Sequence, residues 1–156
     1  MRAWPGSYNS DMGYLLVLIA AGGLMQAQPT LSQKRESLQP VVLITTLPSD
    51  DVAKRAETLE HDTEVARNEA ITIVLTIPAC EKGANGACNA SADLVTYKPD
   101  GTVHSEVKNV SLNERRVTAP LKLTPNDATG LYKVVATVRD LNARRFASAE
   151  RIFGVK

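Results

Sequence analysis

The chain has 156 residues, of which 44% are hydrophobic and only 4% aromatic. This length allows one domain plus a leader, and a core built mainly from Val, Ile, Leu and Ala suits β-strands. The formal net charge is +1, so no overall field favours nucleic acid or an anionic membrane as a partner.

A compact apolar run, residues 14–25 (YLLVLIAAGGLM), lies near the N-terminus behind Arg2. This order is typical of a secretory signal peptide, and the run is shorter than the ~20 residues needed to cross a bilayer. We therefore predict a signal peptide over residues 1–27, export to the periplasm or out of the cell, and no stable membrane span after cleavage. A buried N-terminal strand or helix, an uncleaved anchor and a start at Met12 remain alternatives.

The next segment changes from polar to apolar. Residues 28–40 are polar and are predicted to form a flexible tail. Residues 41–47 (VVLITTL) read as a strand. Ser49 and Asp50 are good N-caps for a short helical stretch over residues 50–60.

Further strands follow in the middle of the chain. Residues 71–77 alternate cleanly between Ile or Leu and other side chains, which predicts a core strand. Residues 93–98 form another, and the PDGT sequence at 99–102 predicts a turn. Residues 102–112 are predicted to form a partly exposed strand, with His104, Glu106 and Lys108 on its outward face. Residues 117–123 contain Pro120, which cannot donate to a ladder and predicts a strand that is either at a sheet edge or interrupted.

The clearest strand signal is GLYKVVATVRD at residues 130–140. Tyr132, Val134, Ala136 and Val138 fall on one face, as in a half-buried strand. A turn and a second run over residues 144–155 complete a hairpin. In that second run the apolar side chains occupy both faces, and we expect a β-bulge near Arg151 to bring both sets to the core.

About seven short strands separated by turns predict an all-β antiparallel sandwich over residues 41–156. The segment LTPNDATGLYKV at 123–134 resembles the turn into the sixth strand of immunoglobulin-like domains, and G-x-Y-x-V-x-A-x-V-x-D resembles the same place in cadherin-like and polycystic-kidney-disease-type (PKD-like) modules. These modules are common in secreted and cell-envelope proteins. The resemblance implies that Gly130 is structural and that Tyr132 forms a tyrosine corner, with its hydroxyl bonded to the preceding turn.

Cys80 and Cys88 are the only cysteines, and they bracket EKGANGA, a loop with two glycines. Such a loop can bring the two Cα atoms to the separation that a disulfide requires, and an exported protein meets an oxidising environment. We predict a disulfide. A redox switch or a metal pair is the alternative.

Two basic pairs are candidates for binding: Arg115 with Arg116, and Arg144 with Arg145. They could form an anion-binding or partner-binding patch if their loops meet at one end of the sandwich. The alternative is that they are arginines at strand ends that serve solubility. The cluster HDTE at 61–64 could bind a metal in principle, but a solvated loop is the simpler interpretation, and we predict no metal site.

The chain lacks a Gly-rich phosphate loop, a G-x-S-x-G elbow and an H-E-x-x-H motif. The sequence therefore favours a non-catalytic, cofactor-free exported module that binds a protein or a glycan, or that forms part of an envelope or surface assembly. The alternative is a small exported inhibitor or ligand carrier that presents the Cys80–Cys88 loop, because a constrained loop loses less entropy on binding.

Overall fold

The computed structural model describes residues 38–55 and 59–156. The predicted signal peptide and most of the predicted tail lie outside these residues. Within them the chain forms one short helix and eight strands. They are β1 (Val41–Thr45), α1 (Ser49–Lys54), β2 (Glu64–Val65), β3 (Ala70–Thr76), β4 (Ala90–Tyr97), β5 (Val103–Ser111), β6 (Arg116–Lys122), β7 (Gly130–Asp140) and β8 (Arg145–Val155). None of the helical structure in these two ranges is long and apolar enough to cross a membrane.

The strands form two sheets, with the orders β1-β3-β6 and β2-β8-β7-β4-β5. Neighbouring strands are antiparallel except for β2, which runs parallel to β8. Two facing sheets with the last two long strands beside β4 are the arrangement of an immunoglobulin-like sandwich. The predicted fold class is confirmed, with the two-residue β2 as an additional strand. β6 lies at a sheet edge, as Pro120 predicted.

The core lies between the sheets and follows the predicted alternation of β3 and β7. The inward side chains of both strands are buried in one apolar cluster. Leu38 also belongs to this cluster, so packing begins three residues before β1. β8 also contacts β1 of the other sheet, where Arg151 donates its Nε–H to the Val42 carbonyl at 3.1 Å.

The tyrosine corner is present. Tyr132 is fully buried, and its hydroxyl donates to the Ala128 carbonyl at 3.0 Å. Its ring stacks on Phe153 with centroids 5.6 Å apart. Burial, followed by the charges of nearby carboxylates, raises the pKa of this phenol above its ordinary value, so the hydroxyl remains a donor at neutral pH. Gly130 has φ 128°, and a Cβ there would lie 3.0 Å from the Pro99 side chain, which explains the glycine.

The predicted helix caps are wrong. The helix begins at Ser49, and the preceding Pro48 occupies the N-cap position without a side-chain hydrogen bond. The Pro48 carbonyl accepts the first helical bonds from the N–H groups of Asp51 and Val52. Ser49 and Asp50 therefore lie in the first turn, where the acid is favoured by the positive end of the helix dipole.

The outward orientation predicted for His104 is also wrong. β5 carries one extra residue between the pairs Thr96↔Ser105 and Tyr97↔Val103, so His104 has no cross-strand partner. Its side chain is only 11% exposed, and Nε2 lies 3.1 Å from Asp127 Oδ1. Glu106 and Lys108, by contrast, are exposed as predicted.

The bulge predicted near Arg151 does not occur. β7 and β8 pair without interruption from Gly130↔Val155 to Asp140↔Arg145. With a regular register only one parity of β8 can face the core, so Phe153 and Val155 are buried while Phe146 and Ile152 are exposed. The large apolar side chains on the outer face are therefore available for contact with another molecule.

Replacing Tyr132 tests the corner. Tyr132→Phe removes one hydrogen bond and should lower the free energy of unfolding by about 1 kcal/mol. Tyr132→Ala also leaves a cavity and should lower it by about 3–5 kcal/mol. Chemical denaturation followed by circular dichroism measures both. The matched control is Tyr97→Phe on the outer face of β4, which should be as stable as the parent. Parent-like stability of both Tyr132 variants would contradict the corner.

Candidate functional site

The disulfide predicted between Cys80 and Cys88 is present, with the two Cα atoms 5.8 Å apart. It closes the loop of residues 81–87, which is tightened by hydrogen bonds from Gly83 N–H to the Ala87 carbonyl at 2.9 Å and from Gly86 N–H to the Gly83 carbonyl at 2.8 Å. The loop is short and internally bonded, and most of its residues are exposed. It is therefore a fixed element of the surface.

A buried carboxylate ties this loop to the β7–β8 hairpin. Asp140, at the end of β7, is only 1% exposed. Its Oδ2 accepts the Glu81 N–H at 2.8 Å and the Arg145 Nη2–H at 3.2 Å, while Oδ1 accepts the Ala143 N–H at 3.0 Å. Burial acts to raise the pKa of Asp140, but the hydrogen bonds from Glu81, Ala143 and Arg145 outweigh it, so the pKa is lowered and the group is ionised.

A second set of bonds joins the same two elements. Asn142 in the hairpin donates from Nδ2 to the carbonyls of Glu81 at 2.9 Å and Ala87 at 3.3 Å. The N–H of Leu141 donates to the Asn89 carbonyl at 2.9 Å. The hairpin tip and the disulfide loop are thus held together at several points, by side-chain and backbone groups.

The β5–β6 turn joins the other side of this assembly. Arg115 donates from Nη1 to the Pro78 carbonyl at 3.1 Å, two residues before the disulfide. Asn113 of the turn and Asn142 of the hairpin line one groove beside the loop. Residues 78–89, 112–115 and 141–144 therefore meet at one end of the sandwich, which we call the disulfide end.

The four predicted arginines lie at this end but do not form one patch. Arg115 lines a groove of about 550 Å³ together with Lys82 and both cysteines. Arg116, the first residue of β6, lies beside it along a groove that reaches α1. Arg144 and Arg145 line a different groove, of about 350 Å³, on the outer side of the hairpin.

This last groove, which we call the hairpin groove, combines apolar and cationic side chains. It is lined by Thr137, Arg139, Asp140, Leu141, Arg144, Arg145 and Phe146. Phe146 is 79% exposed and Leu141 is 51% exposed. Large exposed apolar side chains beside one another are characteristic of contact surfaces.

The cations of the hairpin groove differ in what they already bind. Arg139 pairs with Asp93, and this bond together with the Asn109 N–H lowers the pKa of Asp93 to about 2. Arg145 pairs with Asp140. Arg144 is exposed, with φ 52°, and within the described ranges its guanidinium has no partner.

The cluster at residues 61–64 is the remaining candidate, and its side chains form hydrogen bonds and an ion pair with residues in or beside β1 and β8. His61 Nδ1 accepts the Ile44 N–H at 3.3 Å, and Asp62 Oδ2 accepts the Thr46 N–H at 2.7 Å. Glu64 pairs with Lys156. Over residues 38–55 and 59–156, no three His, Cys, Asp or Glu side chains are grouped to hold a metal ion.

Sequence reasoning missed Asp140, Asn142 and Phe146. A signal for Asp140 exists, because it continues the buried parity of Val138 and a carboxylate on the core face needs partners. Asn142 gives no such signal, since asparagine is common in turns. The sequence predicts Phe146 in the core, because the bulge expected near Arg151 would bring both apolar sets of β8 inward.

Comparison with known proteins adds little to this geometry. No protein-family model matches the chain, and no curated protein matches it. An immunoglobulin-like protein from Pseudomonas aeruginosa is 14% identical, with a TM-score of 0.45 over 76% of this chain and 94% of that chain. The superoxide reductase (neelaredoxin) from Ignicoccus hospitalis is 15% identical, with a TM-score of 0.43 over 64% of this chain and 79% of that chain. A family 123 glycoside hydrolase from Clostridium perfringens is 10% identical, with a TM-score of 0.43 over 76% of this chain and 27% of that chain. The fold assignment therefore rests on the strand order and the tyrosine corner.

Replacing Asp140 tests its role in the disulfide end. Asp140→Asn keeps the shape but removes the buried charge from its donors, and should lower the free energy of unfolding at pH 7 by about 3 kcal/mol. The folded pKa lies below the reference value of 3.8. The ionised group therefore stabilises the fold above about pH 4, and this stabilisation is lost as pH falls through the lowered pKa.

Denaturant titrations of parent and variant at pH values from about 7 to 2 measure this effect. The difference in unfolding free energy should shrink toward acidic pH. Asp50→Asn, an exposed acid of α1, is the control and should change stability by less than about 0.5 kcal/mol. If parent and Asp140→Asn have the same free energy of unfolding at pH 7, or if their difference does not change with pH, the Asp140 carboxylate does not hold the disulfide loop to the hairpin.

A double replacement of Cys80 and Cys88 by serine tests whether the disulfide is local. The closed loop is short, so its loss should lower the free energy of unfolding by about 2.5 kcal/mol. Whole domains are stable by ~5–15 kcal/mol. Circular dichroism should show retained β-structure with a lower melting midpoint, and the reduced parent should behave in the same way. A variant that is unfolded at room temperature would mean that the bond holds the sheets together.

Proposed function

We propose that this chain is an exported, non-catalytic binding module whose protein or glycan partner docks on the disulfide end, as part of an envelope or surface assembly. The observation that carries the proposal is the joining of three loops by Asp140, Asn142, Arg115 and the disulfide. Loops that carry function are usually held on a rigid scaffold, and this end has that character.

Preorganisation is the physical reason that such a surface suits binding. Ordering a flexible loop on association opposes the binding free energy, and a loop that is already fixed avoids this term. The disulfide fixes residues 81–87, and the bonds from Asn142 and to Asp140 fix the hairpin tip. Between these fixed elements Lys82, Asn113 and Leu141 remain exposed and available for contact.

The acids with shifted pKa values do not have the property that a general acid needs, because a general acid that works near neutral pH has a raised pKa. Among the described residues, every acid with a shifted pKa has a lowered one, and each of these acids has a hydrogen-bond partner within the fold. Asp93 and Asp140, for example, are engaged by arginines. These carboxylates therefore serve structure.

Export is supported by the disulfide and by the order of residues 1–27. Disulfides persist in oxidising compartments, and the N-terminal run has the length and flanks of a signal peptide. The cadherin-like and PKD-like modules that the segment 130–140 resembles are also common outside the cytoplasm. We propose that the mature chain begins at Gln28.

A small exported inhibitor or ligand carrier that presents residues 81–87 is the second candidate. It is favoured by the exposure of this loop and by the disulfide that constrains it. In that case the loop alone, and not the hairpin, would contact the target. Deletion of residues 81–87 would then abolish binding, while changes confined to the hairpin would have little effect.

The test uses the full chain, tagged at its C-terminus, in its native host. Mass spectrometry of the exported fraction should find a chain that begins at Gln28, and chemical crosslinking should capture a defined partner. A variant with Lys82→Glu, Asn113→Arg and Leu141→Arg, one change in each loop, should reduce capture by about tenfold or more, because buried contacts at an interface centre dominate affinity.

The control carries the same three exchanges at the opposite end, at Lys122, Asn126 and Leu131, which are also exposed. It should capture the partner as the parent does. An intact chain containing residues 14–25 in the cytosol would contradict export. Equal capture by both triple variants would contradict docking at the disulfide end.

A further inference from the structure

We infer that the hairpin groove binds an extended acidic protein segment, in which a carboxylate lies next to a large apolar side chain. The inference rests on the proposed function and names the chemistry of the partner. It follows from the combination of exposed apolar surface, unsatisfied positive charge and rigidity at one place on the sheet.

The apolar half of the groove is formed by Phe146 and Leu141. Phe146 is the cross-strand neighbour of Arg139 on the outer face, and its ring is largely exposed because the regular register of β8 turns it away from the core. Leu141 projects from the hairpin loop on the same groove. Covering these two side chains with an apolar group removes surface from water, which favours association.

The charged half of the groove favours an anion. Its lining contains three guanidinium groups and one carboxylate, that of Asp140. Asp140 is buried and occupied by its donors, and Arg139 is paired with Asp93 from the neighbouring strand. Among the described residues that line the groove, Arg144 is thus the exposed cation whose guanidinium can pair with a ligand. Guanidinium groups match carboxylates in geometry, and the two can form paired hydrogen bonds.

The groove is also held in shape. Its walls are β7 and β8, which pair in continuous register, and its tip is bonded to the disulfide loop through Asn142 and to Asn89 through Leu141. Arg144 lies in the left-handed region, at the last position of the loop before β8, so the backbone direction at this point is set by the turn. A ligand therefore meets a preformed site.

A peptide fits these features better than an anionic polysaccharide. A polysaccharide supplies carboxylates for Arg144 but no aliphatic side chain to cover Leu141. In an extended peptide, neighbouring side chains can supply a carboxylate and an apolar group within a short span. In the groove, Arg144 can pair with the carboxylate, and Phe146 and Leu141 can pack against the apolar side chain.

The test measures fluorescence anisotropy of short labelled peptides with the mature chain. The probe peptide alternates glutamate with phenylalanine or leucine. One reference peptide has glutamine in place of each glutamate, and a second has serine in place of each apolar residue. The probe should bind about tenfold or more tightly than either reference, and added salt should weaken it.

Two variants locate the site without disturbing the fold. Arg144→Gly removes the guanidinium at a left-handed position that glycine adopts readily. Phe146→Thr removes the ring and keeps a residue that favours strands. Each should weaken binding of the probe by about tenfold. Circular dichroism and melting should match the parent.

The controls are closely matched. Arg55→Gly removes an exposed arginine at the C-cap of α1, and Ile152→Thr removes an exposed apolar residue from the same face of β8. Both should bind the probe within about twofold of the parent, since neither lies in the hairpin groove. Equal weakening by Arg55→Gly and Arg144→Gly would overturn the inference, because it would indicate non-specific attraction to positive charge.

Alginate, an anionic polysaccharide, is added as a competitor. Displacement of the probe by alginate at matched carboxylate concentration, lost in Arg144→Gly but kept in Phe146→Thr, would identify a glycan site and overturn the peptide assignment. The proposed function fails separately. If Arg144→Gly and Phe146→Thr still capture the native partner while the triple variant does not, the module binds elsewhere on the disulfide end and only the groove inference is wrong.

Discussion

The arrangement of the disulfide end depends on one buried charge. Asp140 ends β7 on the core side of the sheet, where an ionised carboxylate is unfavourable unless donors surround it. The donors come from Glu81 in the disulfide loop and from Ala143 and Arg145 in the hairpin. Satisfying this one group therefore requires two separate loops to take fixed positions. The covalent bond between the cysteines shapes one loop, but the carboxylate determines where that loop lies on the sandwich.

The parts of the fold that follow from local sequence could be predicted. β7 shows strict alternation, so its buried face was evident, and the Tyr132 corner followed from its position in a recognisable turn. The disulfide was predictable because the chain has two cysteines on either side of a short glycine-containing loop. In each case the deciding information lies within about a dozen neighbouring residues.

The parts that depend on distant partners could not be predicted. Glu81 and Asp140 are 59 residues apart, and nothing near either residue indicates that they meet. The inward turn of His104 comes from an extra residue in β5 relative to β4, which is a property of the pairing and not of either strand. The exposure of Phe146 has the same origin, because its parity was ambiguous until the register with β7 was known. The candidate site is built mostly from such long-range features, so it was less predictable than the fold.

The position of β8 has a consequence for the order in which the molecule can assemble. This strand lies between β2 and β7 and also contacts β1, where Arg151 reaches Val42 across 109 residues of chain. Such non-local pairing slows folding, because long loops must close before the contacts form. An emerging chain that still lacks β8 has no partner for β2 and leaves part of the core uncovered. The two sheets therefore enclose a complete core only once β8 has been synthesised.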